Sequence, residues 1–400
     1  MRHHIEKLFG VKDLVIDRWD WEDDQTFVIA VRRLHTHVRC SRCGYSSNRV
    51  HQWHVRRVEH ARMDDGTVIV FVVTKRRLKC VPCGRPFTEP IPNLRPWART
   101  TTSRKVAIVR MLRSSTCTEV GRQVARSPGT VSRFCRDCAP PLAARFSQKG
   151  EIRLGVDGHT MRQRKEVVTI NDVRRRQPIT LLPDAHKTTL CSFFRGIPTE
   201  TKRRITEVAI DMTQGNAAAI RETLGSHVRI VIDHFHVIQE TNRAIDEVRC
   251  AYQSVRHVRI PKTPWLRGKE RLRSSEMDAI IAWGDGAPEL FQLWVLKEDL
   301  RMMYEQRTRR RAAQRLDKII HALQAMESLR AQTLGRTLTR WREEILNFFH
   351  HRTTNAYTEG LNRKLKLLQR TAYGFRNFNN YLLRATLVLI PFAAFIHHTI

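Results

Sequence analysis

Short apolar runs and periodically spaced apolar positions predict most elements of this chain. Thr67-Val-Ile-Val-Phe-Val-Val73 is unbroken and β-branched, and reads as a strand. Residues 103–115 set Val106, Ile108, Val109 and Leu112 against Arg and Lys, the pattern of a helix. Val120, Val124 and Ala125 share one face of a second, short helix. Ser127-Pro128-Gly129 signals a turn, after which Thr130 can cap a third helix carrying Val131, Ser132, Arg133 and Phe134. A short helix, a turn and a second helix that starts with polar and basic side chains match a helix-turn-helix, whose second helix enters a DNA major groove.

From residue 151 strands and helices alternate. Ile152–Asp157, Glu166–Ile170 and Ile179–Leu182 read as strands, followed by a helix around 187–195. Ile205–Asp211 is a fourth strand, Ala217–Leu224 a helix, and Arg229–Asp233 a fifth strand. The order βββαβαβ is that of an RNase H-like fold, an α/β core on a mixed sheet. Between roughly 240 and 345 helical periodicity takes over, as in Ile245, Val248, Tyr252 and later Leu290, Leu293, Trp294 and Leu300, which predicts an all-α insertion. Trp265, Trp283 and Trp294 read as core. The most apolar run, residues 381–396, contains Arg384 and Pro391 and falls short of the ~20 residues that span a bilayer, so it predicts a buried core helix. The first ten residues hold no apolar stretch of signal-peptide length.

Charge narrows the partners. The 400 residues include 71 Lys and Arg against 39 Asp and Glu, a net charge of +32. Hydrophobic residues make up 41%, and Gly and Pro are too few for a disordered or collagen-like chain. So large a charge calls for a polyanion, with nucleic acid ahead of an anionic membrane surface, and binding should weaken steeply with salt. Arg301–Arg315 holds six arginines against Glu305, and Arg309, Arg310 and Arg311 read as part of a phosphate-contacting helix.

Two clusters carry chemistry. Cys40-Ser-Arg-Cys43-Gly44 and Cys80-Val-Pro-Cys83-Gly84 are paired knuckles, in which two intervening residues aim both thiolates at one ion and the glycine turns the chain. Two knuckles joined by strands make a zinc ribbon with structural Zn²⁺. Nine cysteines, four of them so paired, indicate a reducing compartment rather than a disulfide framework. Cys135 and Cys138 have no partner knuckle and are left out. In the α/β region three apolar strands end in Asp157, Asp211 and Asp233. Carboxylates at neighbouring strand tips are hard oxygen ligands for Mg²⁺ or Mn²⁺, and two such ions about 3.5–4 Å apart serve phosphodiester chemistry. Glu359 opens the basic helix Leu361–Arg370, and Asn355, Glu359 and Asn362 recur at helical spacing, so all three can face one cleft. Arg363, Lys364, Lys366 and Arg370 follow as candidate phosphate contacts.

With these residues in hand the chain resembles, over nearly its whole length, bacterial insertion-sequence transposases of the DDE type, and more narrowly the ISL-three (ISL3) family. The most specific stretches are Val208-Ala-Ile-Asp-Met212, Val231-Ile-Asp-His-Phe-His-Val237, Asn355-Ala-Tyr-Thr-Glu-Gly-Leu-Asn362 and Thr371-Ala-Tyr-Gly-Phe-Arg-Asn-Phe378. The resemblance implies binding of terminal inverted repeats, then metal-dependent DNA strand cleavage and strand transfer in the bacterial cytoplasm at the nucleoid. Its cofactors would be Mg²⁺ or Mn²⁺ at the catalytic site and structural Zn²⁺. Its partner would be double-stranded DNA, bound by at least a homodimer.

Carried over by position, Asp157 is the first acid and Glu359 the third. The second is Asp211 or Asp233, and the strand count favours Asp211. Asp233 and His236 then match a D-x-x-H element, with His236 orienting Asp233, contacting DNA or simply packing in the core. Family members often place an acid directly after the first Asp, where this chain has Gly158. Sequence reading falls to the helix-turn-helix (Thr130, Ser132, Arg133) and the ribbon. The expected blocks are 1–98 (zinc ribbon), 99–148 (helix-turn-helix), 149–239 (first part of the core), 240–345 (all-α insertion) and 346–400 (core helices carrying the third acid). Two rivals share parts of this pattern, namely a non-catalytic DNA-binding regulator and an RNase H-like nuclease.

Overall fold

Alternating burial along two long strands organises the N-terminal part of the chain. The computed structural model describes residues 13–138, 145–146, 149–160, 166–372, 374–375 and 377–389. These divide into two units: the described residues up to Cys138 together with those from Phe375, and Arg145–Gly374.

In the first unit β1 (Leu14–Asp23), β2 (Thr26–Arg33), β5 (Val50–Arg62), β6 (Val68–Lys79) and β7 (Pro86–Thr88) form one sheet, and β3 (Val38–Arg39) pairs with β4 (Ser46–Ser47). The sheet order is β1-β2-β6-β5, with β2 and β6 parallel and β7 beside β6. Ile69, Phe71 and Val73 alternate into a core with Ile29, Val31 and Val58. The strand expected at 67–73 is therefore real but runs on to Lys79. The sheet also exceeds a ribbon by β1 and β2. Beyond a register shift after Ile16, β1 is largely exposed, so it carries no burial period that sequence reading could detect.

Three helices follow: α1 (Thr102–Met111), α2 (Cys117–Gln123) and α3 (Pro128–Cys138). They share a core of Val106, Val109, Leu112, Val120, Val124, Val131 and Phe134. The predicted boundaries shift for identifiable reasons. The Thr101 hydroxyl accepts from the Arg104 amide and starts α1. Ala125 is exposed, in the left-handed conformation at φ 51°, so it ends α2 instead of sharing its buried face. Gly121 permits that turn, because a Cβ there would lie 2.6 Å from the Arg126 carbonyl. Thr130 is not the cap of α3. Pro128 opens the helix and the Ser127 hydroxyl accepts from the Thr130 amide at 3.2 Å, which suits the missing N–H and preset φ of proline.

In the second unit β8 (Ile152–Thr160), β9 (Glu166–Asp172), β10 (Gln177–Leu182), β11 (Ile205–Ile210) and β12 (Arg229–Ile232) form a mixed sheet in the order β10-β9-β8-β11-β12. β8, β9 and β10 are antiparallel in succession; β8, β11 and β12 are parallel. Helices α4 (Lys187–Arg195), α5 (Thr199–Arg203) and α6 (Gln214–Leu224) connect them. The expected order holds except for α5, a five-residue turn too short to show a period. From α7 (His234–Arg256) the unit is helical: α8 (Lys262–Leu266), α9 (Ser274–Gly286), α10 (Pro288–Tyr304), α11 (Arg309–Ala325), α12 (Leu329–Arg340), α13 (Arg342–Leu346) and α14 (Phe348–His351), then α15 (Ala356–Thr371). Trp265 and Trp294 are buried, as a core role requires, and Trp283 is half-buried.

The last described helix, α16 (Phe378–Leu389), belongs to the first unit, where Leu387 joins the core of α1–α3 and Arg384 Nη1 donates to the Ser115 carbonyl at 2.5 Å. The block 346–400 is thus divided near Phe375. The core helix expected over 381–396 is described to Leu389; 390–396 lie outside the described residues, as do Tyr373 and Arg376 of the Thr371–Phe378 stretch. No helix among the described residues is long and apolar enough to cross a membrane.

Candidate functional site

The four knuckle cysteines converge. The Cys40 amide donates to the Tyr45 carbonyl and the Cys80 amide to the Arg85 carbonyl, so each pair closes the same tight turn. Gly44 (φ 75°) and Gly84 (φ 65°) occupy left-handed backbone that only glycine takes without penalty. One ligand atom from each of Cys40, Cys43, Cys80 and Cys83 lies within 4.8 Å of all the others, and Cys43 Sγ is 3.5 Å from Cys80 Sγ. The Arg42 and Cys43 amides draw the Cys40 thiol down to about 7, whereas burial pushes the Cys80 thiol up and the Cys43 thiol, with burial, pushes Cys83 up to about 12. An all-sulfur shell of this size fits tetrahedral Zn²⁺. Cys135 and Cys138, by contrast, are core residues of α3 whose thiols burial pushes up, Cys138 to about 11.

Asp211 and Asp233 directly follow β11 and β12, whereas Asp157 lies within β8, which runs on to Thr160 because its pairing with β9 continues past the expected end. β11 pairs Ala209 with Gly155 and Ile210 with Ile232, so continuing the register sets Asp211 beside both Asp157 and Asp233. The Asp233 amide donates to the Ile210 carbonyl, extending the ladder to that level. Asp211 is held by Thr213 Oγ1 (2.7 Å) and Asn216 Nδ2 (3.1 Å). Asp233 is 1% exposed, and among the described residues neither of its oxygens accepts a hydrogen bond, although the His234 ring comes within 3.3 Å. His236 Nε2 stands 3.6 Å from Asp157 Oδ1. Burial opposes protonation of His236, yet Asp157, Asp233 and Asp211 hold its pKa above the usual value. Glu359 on α15 is pushed up by burial and then by Asp233 and Asp157, with His236 and Arg363 opposing.

Asp157 and Asp233 are buried and Asp211 and Glu359 half-buried, and gathering four carboxylates so closely is costly unless cations compensate them. The donor set of hard oxygens fits Mg²⁺ or Mn²⁺. The acids are not drawn as close as the thiols: among the described residues, the four cysteines are the one group whose ligand atoms all fall within 4.8 Å of one another.

A ladder of polar side chains seats α15 on the sheet. Asn355 Nδ2 donates to the carbonyls of Val156 (3.2 Å) and Ala209 (3.3 Å). Asn171 Nδ2 donates to Thr358 Oγ1 at 2.8 Å, and Thr169 Oγ1 to Asn362 Oδ1 at 2.6 Å. Asn362 Nδ2 completes the ladder with a 2.8 Å bond to Asp157 Oδ2. Gly155 is what permits so close an approach, because a Cβ there would lie 2.6 Å from Asn355 Oδ1, Thr358 Oγ1 and Val173 Cγ1. Gly155→Ala is expected to destabilise the unit by about 1–3 kcal/mol through overpacking, read as a fall in Tm. An unchanged Tm would mean that α15 is not locked to β8.

Sequence reasoning found Asn355 and Asn362 by helical spacing but missed Thr169, Asn171 and Thr358; the available signal was the polar residues at 169 and 171 beside the apolar run of β9. It also missed Glu207, fully buried on β11, which accepts from Thr353 Oγ1 and pairs with His351 Nδ1 at 2.6 Å just before α15.

The basic candidates differ in what holds them. Arg363, Lys364, Lys366 and Arg370 are exposed on α15. Arg363 bears on Glu359, and Lys366 helps burial lower the His159 pKa to about 4. Arg309 is paired with Glu343, Arg301 with Glu270 and Glu298, and Arg315 with Asp299. Arg310 and Arg311 have no carboxylate partner among the described residues. The run is also split by a helix break, so Arg309–Arg311 open α11, where cations oppose the helix dipole. In α3, Thr130 is half-buried, Ser132 buried and Arg133 exposed.

Comparison with known proteins gives concordant matches. A family model described as a transposase, that of the ISL3 group, matches residues 154–385. The transposase of insertion sequence element IS1001 from Bordetella parapertussis is 25% identical, covering 96% of this chain and 97% of its own. The transposase of insertion sequence element IS1557 from Mycobacterium tuberculosis, in strain CDC 1551 / Oshkosh and in strain H37Rv, is 25% identical over 93% of this chain and 90% of its own.

Proposed function

Since the chain belongs to the ISL3 transposase family, we propose that it binds the terminal inverted repeats of its element and carries out divalent-metal-dependent strand cleavage and strand transfer through Asp157, Asp211 and Glu359. The observation that carries this reading is the acid cluster formed by Asp157 within β8, Asp211 and Asp233 just after β11 and β12, and Glu359 on α15. The sheet order β10-β9-β8-β11-β12, with three antiparallel strands followed by two parallel ones, supports an RNase H-like core interrupted by an all-α insertion.

Bound at this cluster, a pair of divalent cations would activate a water or a 3′-hydroxyl and stabilise the departing 3′-oxygen. The protein's own residues prepare that site. Asn362, itself oriented by Thr169, fixes one Asp157 oxygen. Thr213 and Asn216 orient Asp211. Asp233 adds a fourth carboxylate level with Asp211, and His236 faces Asp157. Arg363 and Lys366 stand where they can hold flanking phosphates, which positions DNA without reading its sequence. Arg310 and Arg311 on α11 serve the same purpose at a distance.

Helices α1–α3 supply the sequence-reading module. α3 presents Thr130 and Arg133 to a major groove, whereas Ser132, expected to share that role, is buried on the packed face of the helix; the four-cysteine knuckles hold structural Zn²⁺ beside the sheet. Joining two element ends requires at least two protomers on DNA. The thiol cluster suits the reducing cytoplasm, where the nucleoid lies.

The deciding experiment incubates the purified protein with a duplex carrying the element's end, in Mg²⁺ or Mn²⁺. Nicking at the repeat boundary is expected, with binding that falls steeply as salt rises. Salt-sensitive, repeat-specific binding with no nicking in either metal would leave a DNA-binding regulator instead. Cleavage of RNA or junctions in preference to the repeat would leave an RNase H-like nuclease.

A further inference from the structure

Trp97 is 87% exposed, far beyond the other exposed tryptophans of its unit, Trp19, Trp21 and Trp53, at 55–56%. Its backbone lies at φ 63°, a left-handed conformation that bulky residues seldom adopt, and such outliers concentrate at functional sites.

The segment is nevertheless held. The Glu59 amide donates to the Arg99 carbonyl and the Thr101 amide to the Glu59 carbonyl, both at 3.0 Å. Arg56 Nη2 donates to the Ala98 carbonyl at 3.2 Å, while its guanidinium lies 5.8 Å from the Trp97 ring centre. Arg95 Nη2 donates to the Asp137 carbonyl on α3 at 3.1 Å. The fold therefore presents the indole from a fixed platform rather than a loose loop.

Trp97 and Arg99 line a cavity of about 630 Å³ with Thr130, Arg133 and Phe134 of α3. Its other charged walls are Arg95, Lys105 and Arg126 against a single acid, Asp137. Arg126 is engaged by the buried Glu59, and Lys105 by Asp137. Arg99 and Arg133 have no carboxylate partner among the described residues. An exposed aromatic flanked by unpaired arginines complements the sugar–phosphate edge of a duplex better than any apolar protein surface.

We propose that Arg95–Thr100 is a second DNA-contacting element, in which Trp97 rests in the minor groove flanking the major-groove segment read by α3, with Arg99 on the adjoining phosphates. This rests on the reading of α1–α3 as a DNA-binding module and extends its footprint to one side.

The test uses the full-length protein and a duplex carrying the element's end, with Kd from fluorescence anisotropy and contacts from hydroxyl-radical footprinting, which reports the minor groove. Trp97→Ala is expected to weaken binding about tenfold, as removal of an aromatic contact to nucleic acid does. It should erase protection at one edge of the footprint and leave the remainder. Trp97→Phe should retain most of the affinity. Wild-type affinity with an unchanged footprint in Trp97→Ala would overturn the proposal, as would a loss of self-association at unchanged DNA affinity, which would assign the indole to a second copy of the chain. Arg133→Ala separates the two levels. If it weakens binding while Trp97→Ala does not, only this proposal falls; if neither variant matters, the DNA-reading role of α1–α3 falls with it.

Discussion

Asp157→Asn is expected to abolish strand cleavage, by about 10³-fold or more, while leaving affinity for the element's end essentially unchanged. The substitution keeps the shape of the side chain and removes its charge. Asp157 is nearly buried and its neighbours are acids and a histidine, so the amide has little to offer a cation and leaves the surrounding carboxylates in place. The binding module lies in the other unit, which is why affinity should survive. Asp211→Asn should match it if Asp211 is the second ligand. Asp233→Asn would take its place if the orphaned oxygens of Asp233 do that work. A thiol supplies the direct readout, because sulfur tolerates Mn²⁺ better than Mg²⁺. The Asp→Cys variant at a true ligand should be silent in Mg²⁺ and partly restored by Mn²⁺. Asn362→Ala should cost about 10–100-fold in cleavage, the usual toll of losing a residue that orients a metal ligand. Normal cleavage by Asp157→Asn, or parallel loss of binding, would remove the proposed chemistry from this cluster.

Cys80→Ser is expected to cost the protein its zinc, its repeat binding and the protease resistance of its N-terminal sheet together. Cys80 is fully buried, and its thiol lies 3.5 Å from that of Cys43. A hydroxyl is a poor substitute in a soft all-sulfur shell, and structural zinc in comparable small domains contributes about 10 kcal/mol or more of folding free energy. Metal analysis of the purified variant, limited proteolysis and anisotropy with the terminal duplex measure the three consequences, and prolonged chelation of the wild type should reproduce them. Retention of repeat binding in a zinc-free variant would mean that the knuckles are dispensable to the fold.

Features set by neighbouring residues were legible. The paired knuckles showed themselves because two residues between cysteines and a following glycine suffice to define the turn. The five strands of the mixed sheet showed as short apolar runs, since both faces of most are buried. Boundaries were less secure where two local signals competed. Pro128 and Ser127 outvoted Thr130 for the start of α3, and Ala125, a good helix former, was placed in left-handed backbone by the turn. Strand β1 stayed hidden because most of it is exposed.

By itself the sequence determined a strongly basic chain with a four-thiol centre, apolar strands bearing Asp157, Asp211 and Asp233 at or near their ends and a basic helix opened by Glu359, because each of these depends on covalent spacing or on local burial. Tertiary structure alone decided that Asn362 grips Asp157 across 205 positions, that among the described residues Asp211 accepts side-chain hydrogen bonds while Asp233 accepts none, and that Gly155 clears the ground for α15. It likewise decided that the C-terminal helix completes the core of α1–α3 and that Trp97 stands exposed beside α3. The reason is physical: strand pairing and side-chain hydrogen bonds across hundreds of residues answer to how layers pack, and no short window of the chain carries that information.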